Sequence, residues 1–207
     1  MKEAVKDRAR PLTPKGMATR GRIVDAAAEL MFERGVSGTS VEDVQAKAGV
    51  SASQLYHYFG DKRALVRAVI RRQTDVVLER QQPLLSHLDS FEALHAWRDV
   101  QVEVQRQRAC AGGCPLGTLA AELADEDPEA RADLAAGFDR WEEPIRAGLR
   151  AMRDRGALSL EADPDQLALA LLAAVQGGLV LTQTRRNPRA LAVALDTVLA
   201  YVHTFAA

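Results

Sequence analysis

Cysteine occurs only twice in the 207 residues. That is too few for a disulfide framework, so a reducing compartment, the cytoplasm, is the expected setting. Glycine (14) and proline (8) are too sparse for a fibrous or disordered chain. No apolar run reaches the roughly eighteen residues of a membrane span, and the N-terminus lacks the apolar core of a signal peptide, so no membrane partner is expected. Catalytic signatures are missing as well. There is no P-loop, no dinucleotide fingerprint and no metal-spaced His/Cys set, and the four histidines are scattered. Gly35-Val36-Ser37-Gly38-Thr39 has a superficial likeness to a nucleophile elbow but lies between helices. No enzyme, cofactor or metal site is expected. No β alternation, internal repeat or low-complexity tract is found.

What is present is helix. Apolar residues make up 47% of the chain, enough for a core, and the length fits a two-part all-α architecture of about nine helices. The formal net charge of -1 hides an asymmetry: residues 1–72 carry 14 Lys+Arg against 8 Asp+Glu, net +6, and the remainder is net -7. A basic N-terminal part beside an acidic remainder suits DNA docking at one end; chance clustering on solvated faces gives the same count.

Residues 40–62 carry the strongest pattern. Ser40 is placed to cap one helix, with Asp43 three residues on in a capping-box arrangement. Gly49 supplies left-handed geometry where that helix must stop, and Ser51 caps a second helix running to about Tyr58. Two short helices around a tight turn are the layout of a helix-turn-helix, whose second helix lies in the major groove of DNA.

Upstream, residues 1–18 combine Lys2, Lys6, Arg8, Arg10 and Lys15 with Pro11, Pro14 and Gly16, the composition of a flexible basic arm. Such an arm can reach phosphates or the minor groove, or be a plain disordered terminus. A first helix is expected from Thr19 or Arg20 to Arg34, with Ile23, Ala27, Leu30 and Met31 as its apolar stripe. Val41, Val44, Ala48, Val50, Leu55 and Phe59 face it, and together they make a DNA-binding domain over residues 19–65. A long helix from Asp61-Lys62 toward Gln82 leads into residues 66–207. There, helices are expected over 89–109, 116–125, 127–155, 163–186 and 188–206. Pro144 should kink or split the third of these.

The first 70 residues resemble the TetR family of bacterial transcriptional regulators. The resemblance rests on Arg22-Ile23-Val24-Asp25-Ala26-Ala27, Glu33-Arg34-Gly35, Thr39-Ser40-Val41-Glu42-Asp43-Val44, Ala48-Gly49-Val50-Ser51, Leu55-Tyr56-His57-Tyr58-Phe59 and Asp61-Lys62, in family order and spacing. It implies an all-α homodimer with an N-terminal DNA-binding domain and a helical C-terminal domain that holds a small-molecule pocket. It also implies an operator that is released when the ligand respaces the recognition helices. Gly113-Cys114-Pro115-Leu116-Gly117, Glu122, Phe138 and Trp141 further resemble the LmrA/YxaF-like subgroup.

On the recognition helix, Ser51, Ala52, Ser53, Gln54, Tyr56 and His57 fall on or near the exposed face. Gln54 can pair bidentately with an adenine edge, whereas Tyr56, Thr39, Ser40 and Lys62 suit phosphates. The family often has a small residue where Gln54 stands. His57 fits a phosphate, a base or plain solvent. Two recognition helices roughly 34 Å apart would read a near-palindromic operator.

The two final helical segments are apolar nearly all round, which suits a four-helix dimer bundle or an internal core helix. Candidates for the pocket of a largely apolar effector are Trp97, Gln101, Gln105, Phe138, Trp141 and Gln176. Each aromatic has a core reading too. Cys110 and Cys114 in a glycine-rich loop, beside Arg106 and Arg108, raise a redox-responsive alternative, and a regulator without any ligand is another.

Overall fold

The computed structural model describes residues 12–207. Among them the chain forms nine α-helices and one 3-10 turn, with no strand beyond an isolated bridge between Leu158 and Ala206. Helix α1 spans Pro14–Arg34, with Thr13 as its cap and a proline in its first turn. It therefore begins upstream of the expected Thr19, and residues 14–18 of the expected arm are its first turn. The rest of that arm, to Pro11, lies outside the described residues.

Helices α2 (Val41–Ala48) and α3 (Ala52–Phe59) close onto α1. Ile23, Ala27, Leu30 and Met31 meet Val44, Leu55 and Phe59, all buried, while Val41, Ala48 and Val50 pack half-buried around them. Helix α4 (Lys62–Glu79) then leaves this unit, and a 3-10 turn at Leu84–His87 leads to α5 (Phe91–Gln107), α6 (Pro115–Leu123) and α7 (Pro128–Asp154).

Helix α7 runs through Pro144 as one element, so of the kink or split expected there the split does not occur. An interior proline costs about 3 kcal/mol. Leu134, Trp141, Ile145, Leu149 and Met152 bury one face of the rod on both sides of it, each contributing roughly 1.5–3 kcal/mol. Packing wins.

The last pair, α8 (Pro164–Arg185) and α9 (Arg189–His203), lies tightly together. A Cβ on Gly178 would stand 2.8 Å from the Leu191 Cα, so only glycine permits this approach. Helix α8 is long and apolar enough, with a mean hydropathy of 1.6, to pass for a membrane span by length and composition. That differs from the expectation of no such run, because alanines and glycines join its leucines into one stretch. Leu167, Ala168, Leu171, Leu172, Val175 and Leu179 of this helix are buried in the protein.

Ion pairs fasten α4 to α7. Arg63 grips Asp127 with two bonds of 3.0 Å, Arg67 reaches Asp133 at 2.8 Å and Arg140 meets Asp75 at 2.9 Å. Asp127 also caps α7, accepting from the Glu129 and Ala130 amides. The Arg63 guanidinium and these amides hold its carboxyl at about 2, below the ordinary 3.8. A depressed carboxyl stabilises the fold above its unfolded value and loses that contribution as pH falls through the folded one. The stability difference between wild type and Asp127→Asn is therefore expected to be full above about pH 4 and gone near pH 2. Urea midpoints of the two proteins across that range check it; a pH-independent gap would contradict the assignment.

Candidate DNA-reading helix and effector cavity

Both short helices start with reciprocal caps. The Ser40 amide donates to Asp43 Oδ2 at 3.0 Å, and the Asp43 amide to Ser40 Oγ at 3.0 Å. In α3 the Ser51 amide donates to Gln54 Oε1 at 3.0 Å and the Gln54 amide to Ser51 Oγ at 3.2 Å. Gly49, in left-handed geometry, ends α2 two residues before the second box opens. Buried Leu55 and Phe59 fix the roll of α3 and turn Ala52, Ser53, Gln54, Tyr56 and His57 to solvent. The Arg20 guanidinium sits 5.1 Å over the Phe59 ring, a further brace between α1 and α3.

Three of the four residues expected at phosphates are hydrogen-bonded within the protein, Ser40 among them, whose hydroxyl donates to Asp43 Oδ2 at 2.6 Å. Thr39 is only 1% exposed and its hydroxyl donates to the Gly35 carbonyl at 2.8 Å. Lys62 donates through Nζ to the Val36 carbonyl at 2.9 Å. From the other side, Glu122 of α6 accepts from the Val36 amide at 2.7 Å. The Val36 peptides are thus clamped between the C-terminal part and the start of α4. Gly35, at φ +76°, is needed here, since a Cβ would press 3.0 Å from the Glu122 carboxylate. The sequence pattern flagged Glu122 as a motif residue and gave no sign of this partner.

Helix α6 has its other end at a cavity. Cys114 and Pro115, which start it, line a space of about 70 Å³ together with Gln81, Gln101, Gln105 and Trp141. A wider cleft of about 620 Å³ lies on the far side of the same loop, between α1 and α4. Arg80, Arg108 and Pro115 line both.

Of the six candidate pocket residues, Gln101, Gln105 and Trp141 face the cavity. Trp97 does not, being wholly buried with its Nε1 donating to Gln81 Oε1 at 2.9 Å. Phe138 packs half-buried against the core, and Gln176 faces Gly117 under α6. Gln81, absent from the sequence reading, is the hub: its Oε1 also accepts from Gln101 Nε2 at 2.7 Å and Trp141 Nε1 at 3.2 Å.

Cys110 and Cys114 are free and buried. Burial pushes the Cys114 thiol up, opposed in part by hydrogen bonds from Gly117, Leu116 and Gln176. This is the reverse of the activation by neighbouring arginines raised from the sequence. Its sulfur caps α6, accepting from the Gly117 amide at 3.4 Å.

A basic helix-turn-helix unit joined to an all-helical domain defines a DNA-binding transcriptional regulator rather than an enzyme. Comparison with known proteins says which kind. Residues 23–69 match the family described as bacterial regulatory proteins, tetR family, and residues 90–198 match the tetracyclin repressor-like C-terminal domain. The chain belongs to the TetR family. The HTH-type transcriptional repressor DhaR of Mycobacterium sp. (strain GP1) is 26% identical over 169 residues, covering 81% of this chain and 84% of that one. An HTH-type transcriptional regulator of Mycobacterium tuberculosis is 29% identical over 179 residues, covering 81% and 86%. The crystal structure of a TetR transcriptional regulator from Chloroflexus aurantiacus superposes with a TM-score of 0.79 at 28% identity, covering 94% of this chain and 98% of that one. A TetR-family regulator from Cytophaga hutchinsonii reaches 0.81 at 17% identity over 95% and 98%, a likeness of fold.

Proposed function

We propose that the chain is a cytoplasmic repressor that holds a near-palindromic operator as a homodimer and releases it when a small, largely apolar molecule enters the cavity. The observation that carries the reading is α6, whose first residues wall the cavity and whose Glu122 grips the turn before α2. At about 70 Å³ the cavity is well below the roughly 300–1,000 Å³ of ligand pockets. An effector seated there would move a wall, and movement of α6 reaches the DNA-binding unit through the Val36–Glu122 hydrogen bond and the packing of Pro115 and Leu119 on Met31 and Val69. The subgroup resemblance fits the same arrangement, since Cys114 and Glu122 are its two ends.

Dimerisation is proposed through α8 and α9, where Leu169, Val180, Val193 and Tyr201 are each more than half exposed. On DNA, Ser53, Tyr56 and His57 offer donors for phosphates or base edges and Ala52 an apolar contact, while Ser40 and Ser51, whose hydroxyls donate within their boxes, turn to phosphates only by leaving them. Thr39 and Lys62 act by shaping the turn. Gln54 reads in one of two ways. Kept in its box, it presents only the Nε2 amino group, donors alone, which any purine N7 accepts. Freed, it pairs bidentately with adenine.

A gel shift on the DNA upstream of the chain's own gene tests the proposal. A sequence-specific complex that dissolves on adding a small-molecule extract of the source cells is expected; no specific complex would sink it. Gln54→Ala is expected to weaken the operator complex about tenfold and to flatten the preference at one base pair in each half-site. Binding to single-base operator variants measures this, and an unchanged profile would remove Gln54 from the reading residues.

A further inference from the structure

The cleft between α1, α4 and the loop before α6 is lined by five charged groups, and they are not equally matched. Asp25 pairs with Arg72 at 2.9 Å, and Glu29 with Lys47 at 2.6 Å. Arg80 and Arg108 have no carboxylate within 4.0 Å among the described residues, although they line the same cleft and also the cavity behind it. Each caps the C-terminal end of its helix, α4 and α5 respectively. Helix dipoles favour a cation there by only about 0.3–1 kcal/mol at exposed sites. That does not compensate the loss of solvent around Arg108, which burial and the neighbouring Arg80 guanidinium still push below its ordinary value.

We propose that Arg80 and Arg108 are the anion-binding head of the effector site, and that the effector is an apolar molecule ending in one carboxylate. The inference rests on the effector-released reading above and narrows its ligand. Counted by pairs, Asp25 cancels Arg72 and Glu29 cancels Lys47, which leaves the Arg80 and Arg108 guanidiniums as the unmatched charges of the cleft. Asp25 and Glu29 line the same cleft, so a singly charged carboxylate meets less repulsion there than a phosphate dianion. Guanidiniums bind a carboxylate through planar paired donors, which also fixes its orientation. With the head held at the shared rim, the tail points past Pro115 toward Val100, Val104, Trp141 and Leu179. The glutamines beside them, Gln81 and Gln101, are already bonded to one another and to the tryptophans, so the tail meets a wall with few free polar groups.

Trp141 faces the cavity and reports on occupancy. Full-length protein is titrated with octanoate, octanol and acetate while tryptophan fluorescence is followed. Octanoate is expected to saturate, with octanol and acetate at least about tenfold weaker. Arg80→Gln and Arg108→Gln are each expected to weaken octanoate about tenfold or more and to leave the thermal melt near wild type. Octanol binding as tightly as octanoate, undiminished octanoate binding in the Arg80→Gln, Arg108→Gln protein, or no octanoate binding would each overturn the proposal. Two further results separate it from the release reading. If octanol both binds and dissolves the operator complex, release stands and the anionic head falls. If octanoate binds through the arginines but never dissolves that complex, the site stands and release falls.

Discussion

A Val180→Asp, Val193→Asp protein is expected to sediment as a monomer and to lose about a thousandfold or more of its operator affinity. Val180 is 61% exposed on α8 and Val193 53% exposed on α9, with Leu169 and Leu181 beside the first and Tyr201 beyond the second. Along α8 the exposed positions 169, 173, 177 and 180 recur at helical spacing, and along α9 so do 193, 197, 200 and 201. Two adjacent apolar stripes of this kind are what a two-fold bundle buries. In an isologous contact each substitution occurs twice, so four carboxylates enter one interface. Desolvating an unpaired charge costs several kcal/mol, more than the interface recovers from two lost valines. A monomer then reads one half-site with half the phosphate contacts, and each 1.4 kcal/mol lost is about tenfold in affinity. Both valines point away from the chain's own core, so far-ultraviolet circular dichroism is expected to match wild type. A dimer of unchanged mass would place the interface elsewhere.

Trp97→Ala is expected to destabilise the protein by about 3–5 kcal/mol, lowering Tm by roughly 10 °C or more. The indole is wholly buried, and its loss removes both a large apolar volume and one of three donors to Gln81 Oε1. Trp97→Phe separates the two effects. It keeps most of the ring and forfeits the hydrogen bond, so a loss of only about 1–2 kcal/mol is expected. Gln81 is itself anchored, its Nε2 donating to the Val77 carbonyl at 2.8 Å. The amide therefore cannot turn to follow the missing partner. Differential scanning calorimetry of both variants decides it; a Trp97→Ala protein that melts near wild type would mean that the indole is replaced by solvent without cost.

The helix-turn-helix was legible because its signals are local. Ser40 with Asp43 and Ser51 with Gln54 act over three residues, and Gly49 stops a helix by its own conformation. Thr39 and Lys62 were read as phosphate contacts because an exposed turn beside a helix start invites that reading. In the structure the Thr39 hydroxyl turns back to the Gly35 carbonyl four residues away and Lys62 reaches the Val36 carbonyl across 26 residues, partners that the pattern does not announce. Gln81 carries no sequence signal at all: a glutamine near a helix end reads as surface until three donors from α5 and α7 converge on it. The split read at Pro144 fails for the opposite reason. The proline's local cost is real, and only the summed packing of a 27-residue helix decides against it.

Gln54 closes the box at the start of α3, so the residue proposed to read the operator also governs how firmly its own helix begins. Glutamate in its place would keep the box but aim a negative charge at a polyanion. Arginine, lysine or alanine would change the reading and open the box, loosening the first turn by about 0.5–1 kcal/mol. A lineage drifting toward a new target sequence through this position must cross one of those two handicaps. Ser53 and His57, which cap nothing, carry no such handicap. Among descendants of this regulator, the base pairs facing them are expected to diverge first, and the one facing Gln54 last.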